Sequence, residues 1–338
     1  MAGETPPAGT GQPRPPKQTK RKKEAIHGWI VLDKPLGLSS TQALGKVRWL
    51  LNAEKAGHGG TLDPLASGLL PIALGEATKT IQWAMDGTKT YQFTVQWGAE
   101  TSTDDLEGQI VATSNEFVLG NENSLLPRNV EIAAMQHKLQ QSLAAFHGAV
   151  QQKPPAYSAI KVDGERAYDL ARAGEEVSLE ARTVQIDRLT VLGWPSPSQT
   201  TFEVVCGKGT YVRSLARDLG RALGWLGHVV MLRRLAVGPF READMISLEK
   251  LAEVCQSAPG ERRLAHILRP IETVLDGIPA LAVMDQDAQR LRHGQPVVLR
   301  GTEGLPAAEV VLVKHGGQPL GLCSLEQGSL KPKRLFNL

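Results

Sequence analysis

The chain has 338 residues, 41% hydrophobic and 22% charged, the balance of a globular protein with room for one large domain and a small one. No apolar run approaches the ~20 residues of a membrane span and the N-terminus has no apolar leader region, so a cytoplasmic protein is expected. The formal net charge is +3, but residues 1–25 carry six basic side chains (Arg14, Lys17, Lys20, Arg21, Lys22, Lys23) against Glu4 and Glu24, leaving the body almost neutral. Such a body binds a polyanion only where its Lys and Arg gather on one face.

Residues 1–25, rich in Pro, Gly, Thr and Lys, have almost nothing to bury and read as a disordered basic tail. Structure is expected from the apolar strand Gly28–Asp33, stopped by Lys34-Pro35. Ser39 or Ser40 then caps a helix whose Ala43, Leu44, Val47, Leu50 and Leu51 keep a 3.6-residue period. Residues 57–75 form a Gly- and Pro-punctuated loop running into an apolar stretch. After it, Tyr91, Phe93, Val95 and Trp97 alternate with Thr90, Gln92, Thr94 and Gln96, a strand with Tyr91 on its apolar face.

Thr183–Leu192 and Phe202–Cys206 also read as strands. Gly207-Lys208-Gly209 turns the chain into a helix through Tyr211, Leu215, Leu219 and Leu223, closed by Gly224. Near 275 the pattern changes to short strands at Pro296–Leu299, Ala308–Val313 and Leu320–Leu325. Strands and helices mix without a βαβ rhythm, which predicts an α+β fold with a mixed, mainly antiparallel sheet flanked by helices. The expected domains are 26–275 and a small β-rich unit, 276–338, which must dock to be stable.

Cys206, Cys255 and Cys323 lie far apart, match no metal-ligand spacing and are odd in number, so they read as buried thiols in a reducing compartment. There is no Walker loop, no GxGxxG after a strand, no HExxH and no CxxC. Gly207-Lys208-Gly209-Thr210 has the look of a phosphate loop, but its spacing to a second glycine is wrong. The loop Gly57–Leu70 stands out instead. Gly59 and Gly60 permit close approach, and Pro64 biases Asp63 towards an extended backbone. Flanked by Leu62 and Leu65, the Asp63 carboxylate would be partly desolvated, either as a nucleophile or base or as a turn cap.

The block Gly57-His58-Gly59-Gly60-Thr61-Leu62-Asp63-Pro64-Leu65-Ala66-Ser67-Gly68-Leu69-Leu70, followed by Gly75-Glu76-Ala77-Thr78-Lys79, resembles the aspartate-bearing block of the bacterial TruB-type tRNA pseudouridine synthases. Five further segments match that family in order. They are Leu32-Asp33-Lys34-Pro35, Lys89-Thr90-Tyr91, Pro154–Lys161 with its Tyr157-Ser158, Gly209-Thr210-Tyr211-x-Arg213, and His228 with Leu232-Arg233-Arg234. Residues 278–338 are similar to its small C-terminal RNA-binding, PUA-like domain.

The resemblance implies the pseudouridine synthase fold and an isomerase acting on the tRNA T-loop uridine, position 55, with an extruded base. It implies Asp63 as the nucleophile, Arg213 as its partner, and Tyr91 as the stacking ring and proton carrier. His58, Lys79, Tyr211 and Leu232 become substrate-binding residues. It implies no cofactor, no metal, no protein partner, and a monomer. Gly59 and Ser67 stand where the family commonly has threonine, changes that could loosen the loop. Against this stand a guide-RNA-directed relative, a non-catalytic RNA-folding factor and a small-substrate carboxylate hydrolase.

Overall fold

The computed structural model describes residues 23–119, 125–127, 132–158, 160–162, 164–175, 177–257, 264–299 and 306–338. In chain order the first elements are β1 (Gly28–Lys34), α1 (Ser40–Leu50), β2 (Ala56–His58), β3 (Ala66–Leu74), α2 (Ile81–Asp86) and β4 (Lys89–Trp97). Two small hairpins follow, β5 (Ala99–Thr101) with β6 (Ile110–Thr113) and β7 (Phe117–Leu119) with β8 (Leu125–Pro127). Next come α3 (Ile132–Ser142), β9 (Gly148–Gln152), the hairpin β10 (Lys161–Val162) and β11 (Glu165–Arg166), and α4 (Ala167–Arg172). Then β12 (Arg182–Ser196), β13 (Gln199–Cys206), α5 (Val212–Leu223), β14 (Gly227–Val237) and α6 (Leu248–Ser257) complete the larger part. The C-terminal part holds β15 (Ala280–Ala282), α7 (Asp285–Arg292), β16 (Val297–Val298), β17 (Ala308–His315), β18 (Gln318–Glu326) and β19 (Ser329–Leu335).

One large sheet runs β1-β3-β14-β4-β13-β12-β9. It is mixed and mainly antiparallel: the β14–β3 pairing, through Leu232–Arg234 and Ala66–Gly68, is its parallel junction. The second edge of β3 is shared, because Ile72–Leu74 pair with β2. The continuous apolar reading of β1 has a direct cause: both its faces are covered. Ile30 and Leu32 pack with Ala43 and Val47 of α1 and Leu251 of α6. Trp29 and Val31 face the other way, into a core shared with Leu312, Leu322 and Phe336 of the C-terminal sheet. Phe93, Val95 and Trp97 of β4 pack under α3 and α5 in a third cluster.

The C-terminal sheet runs β15-β17-β18-β19-β16 over a small core of its own, and its other face docks on the main sheet. The expected strands there are present. β19 and α7 add elements that sequence reading did not assign. Around 57–75, the apolar stretch is the strand β3, so the loop itself shrinks to residues 59–65. Ser39 is the cap of α1, its hydroxyl accepting from the Gln42 N–H while the Gln42 side chain accepts from the Ser39 N–H. Tyr211 is the residue preceding α5 rather than part of it. Cys206 and Cys323 are buried as expected; Cys255 is only half-buried. Residues 1–22 of the expected tail, with Lys20–Lys22, lie outside the described residues; Glu24 bridges to Ala53.

Candidate active site

The loop carrying Asp63 is tied down at every step. Gly59 donates its N–H to the Pro71 carbonyl at 2.8 Å, and the Pro64 carbonyl accepts from Gly37 N–H at 2.9 Å. The Ser40 hydroxyl accepts from Leu62 N–H at 2.7 Å and donates to the Leu62 carbonyl at 2.9 Å, pinning the residue before Asp63 to the start of α1. From β14, the fully buried Arg234 donates to the carbonyls of Leu69 (2.7 Å), Thr61 (3.3 Å) and Gly60 (3.1 Å). One guanidinium thus ties the start of the loop to β3. Gly59 leaves no void: a Cβ there would lie 2.9 Å from Ala84 Cβ, so α2 already fills the space a larger side chain would take.

Asp63 meets Arg213 of α5, with Oδ2 and Nη2 at 2.9 Å. The arginine side chain is 7% exposed and the aspartate 42%. Burial therefore falls on the cation, and the carboxylate opens onto the cleft instead of being desolvated by Leu62 and Leu65. Arg213 also donates to the carbonyls of Thr103 (3.0 Å) and Tyr157 (2.9 Å) and lies 3.5 Å from Asp105 Oδ2. Three chain segments besides its own fix this fork, which a lysine could not satisfy.

The loop between β5 and β6 presents Asp105. Its Oδ1 accepts from the Thr103 hydroxyl at 2.5 Å and from Glu107 N–H at 3.0 Å. Next to it Asp104 holds a left-handed backbone, φ +61°, and pairs with Arg217, one turn along α5, at 3.0 Å. Burial outweighs the pull of Arg217 and Arg213 and raises the Asp104 carboxyl from 3.8 to about 6. A carboxyl raised on folding leaves the native state with more bound protons between those values, so stability falls as pH rises through that window. Urea unfolding should show the stability of wild type relative to Asp104→Asn dropping by about 2 kcal/mol between pH 4 and 6.5. A pH-independent difference would contradict this reading.

Asp63, Arg213, Tyr91, Leu232, His58 and Tyr211 all line one cleft of about 1110 Å³. Strand pairing brings Leu232 and Tyr91 next to the Asp63 loop: Leu232 sits opposite Ala66 of β3 on one side and Phe93 of β4 on the other, and Tyr91 faces Arg234. Tyr91 is half-buried, and its hydroxyl is pushed up, by burial first. His58 is half-buried with Nδ1 unpartnered among the described residues, and burial, then Arg234, lowers its pKa. Tyr211 is held by Gln152, whose side chain accepts from the Tyr211 N–H (2.8 Å) and donates to its carbonyl (3.1 Å).

Lys79 is the exception. It does not line the cleft; its ammonium binds Glu76 at 2.6 Å and the Leu335 carbonyl at 2.6 Å, while the Asn337 N–H donates to Glu76. It ties the C-terminal strand to the main body. Sequence reading missed Arg234, Asp105, Ser40 and the buried Lys34, whose ammonium burial lowers to about 8. Lys34 and Arg234 stood inside matching segments, and Arg234 also had an i, i+2 spacing from Leu232 on one strand face; Asp105 had no signal. Among the described residues no group of His, Cys, Asp or Glu is arranged to hold a metal ion, and no helix is long and apolar enough to cross a membrane.

Three family descriptions match in succession: TruB family pseudouridylate synthase (N terminal domain) over residues 48–212, tRNA pseudouridylate synthase B C-terminal domain over 213–276, and Pseudouridine synthase II TruB, C-terminal, over 279–336. A protein of Bradyrhizobium diazoefficiens named tRNA pseudouridine synthase B is 52% identical over 322 residues, covering 95% of this chain and 89% of its own. The Brucella melitensis protein of the same name is 48% identical over 335 residues, covering 95% and 98%. The chain belongs to the TruB family of pseudouridine synthases. This TruB-family chain is therefore an isomerase that forms pseudouridine. Its fold is that of Cbf5 in a solved Cbf5-Nop10-Gar1 complex, with TM-score 0.67 at 24% identity, covering 92% of this chain and 85% of that one. A structure of an H/ACA RNP bound to a substrate RNA containing 2'-deoxyuridine gives TM-score 0.67 at 23% identity, covering 92% and 86%.

Proposed function

We propose that this synthase isomerises the T-loop uridine of tRNA, position 55, using Asp63 as its nucleophile on a base extruded into the cleft. The observation that carries this reading is the Asp63–Arg213 pair, a carboxylate open to the cleft beside Tyr91 and Leu232. Asp63 attacks the uridine or its ribose, and the C1'–N1 bond breaks. The uracil turns over and a C1'–C5 bond forms while the bond to Asp63 breaks and returns its free carboxylate; C5 loses its proton and N1 ends with one. Substrate and product have the same atoms, so the balance needs no redox partner. Tyr91 stacks on the ring, and its hydroxyl, whose pKa burial raises, carries the proton. Leu232 offers an apolar wall that offsets unstacking, while His58 and Tyr211 contact the flipped nucleotide.

The tRNA assignment draws on relatives named tRNA pseudouridine synthase B at about half identity. The likeness to Cbf5 is one of fold, and a stand-alone, monomeric, cytoplasmic enzyme is the reading adopted. Its two units are residues 26–275 and 276–338, the second helping to hold RNA. Mapping of pseudouridines in tRNA incubated with the purified protein should show modification at the T-loop uridine. A modified site elsewhere would overturn the substrate and spare the reaction.

A further inference from the structure

A cleft of about 1110 Å³ exceeds the range that takes one drug-sized ligand. The groups assigned to the target uridine line only part of it. Much of the remaining wall is made by Tyr157, Ser158, Lys161, Arg182 and the turn Gly207–Thr210. Arg182, the first residue of β12, places its guanidinium 5.2 Å from the centre of the Tyr211 ring and donates from Nη2 to the Gly209 carbonyl at 2.7 Å. Gly209, at φ +83°, turns that carbonyl onto it.

Arg213, Arg217, Arg221, Arg233 and Arg269 each face a carboxylate. Arg182 pairs with none among the described residues, and its Nε has no acceptor. A rigidly held, unneutralised guanidinium on a cleft wall is a site for an anion. Two neighbours add to it. Lys208 is held by Asp86 at 2.9 Å, both exposed and both on the cleft. Ser158, only 3% exposed, lines the same cleft with an unpartnered hydroxyl. The helix α5 also begins here without a side-chain cap, so its dipole adds positive potential.

We propose that this wall binds a phosphodiester of the RNA strand one or two nucleotides from the target uridine, with Arg182 as the main contact and Lys208 exchanged from Asp86 to the phosphate. The proposal rests on the RNA reading above. Strand continuity favours it: Tyr211 lies two residues from Arg213, a Cα separation of about 7 Å at most, so the anion sits close to the reacting base. The guanidinium fork matches two phosphate oxygens, and its stacking on Tyr211 leaves its outer edge preset.

The test compares wild type, Arg182→Gln and Arg182→Lys on T-arm RNA whose linkages beside the target uridine are replaced singly by neutral methylphosphonates. Arg182→Gln should raise the KM about tenfold, the loss falling on KM rather than on the single-turnover rate at saturating RNA. It should flatten the slope of log K against log salt by about 0.7. Arg182→Lys should restore the slope and part of the KM. One methylphosphonate should weaken wild type by a similar factor and leave Arg182→Gln unaffected. Additive penalties at every linkage, or an unchanged salt slope, would overturn the proposal. Failure of the RNA reading looks different: wild type would form no pseudouridine in this RNA, with or without the neutral linkage.

Discussion

Asp63→Asn is expected to lose about 10⁴-fold or more of pseudouridine formation while RNA binding stays within a few-fold of wild type. The amide has the shape of the carboxylate and can still accept from Arg213, so the loop anchors at Gly59, Leu62 and Pro64 are unaffected. What disappears is the charged oxygen that attacks. Because Asp63 is 42% exposed, its removal leaves no buried hole and should move the melting temperature little. Single-turnover pseudouridine assays and filter binding on the same RNA separate the two effects. Undiminished product from this variant would remove Asp63 from the mechanism. A parallel loss of binding and melting temperature would instead make it a structural residue.

The second large effect is at Arg213. Arg213→Ala should reduce the rate about 10³-fold and also destabilise the fold by about 3–5 kcal/mol, lowering the melting temperature by about 10 °C. Two separate causes act. Asp63 loses the cation that aims it, and Asp105, only 9% exposed, is left as a buried charge without that partner. The carbonyls of Thr103 and Tyr157 lose a donor as well. Adding Asp105→Asn should return part of the stability, because the stranded charge is gone, and none of the rate. Recovery of both together would mean that Arg213 acts on catalysis only by holding the loop between β5 and β6. Arg213→Lys should stay well below wild type, since one ammonium cannot serve acceptors from three segments.

The physics explains why some assignments transferred from sequence to structure and others did not. Tyr91 was placed on an apolar strand face by a period of two, and strand geometry leaves little choice once Phe93, Val95 and Trp97 must be buried. Lys79 stood within the motif block and was read with the substrate, yet it faces the C-terminal strand; a separation of 256 positions from Leu335 hid that partner. Gly59 looked like a loosening change because sequence does not show that Ala84 and Trp29 close over it. Arg234 and Ser40 act through backbone carbonyls and amides, and no residue type in the loop advertises such partners.

The loop around Asp63 was thus the most legible part of the chain, because glycine, proline and aspartate constrain their own backbone locally. From sequence alone came the strands and helices with clear periods, the α+β class, the carboxylate and, through resemblance, the family. The tertiary structure alone decided that the carboxylate stays open to the cleft while its burial cost is carried by Arg213, 150 residues away. It also set Asp105 and Arg234 on the cleft wall and turned Lys79 away from it towards the C-terminal strand. Those outcomes depend on which strands pair and which faces are covered, and long-range pairing is set by the packing of the whole core rather than by any local run of residues.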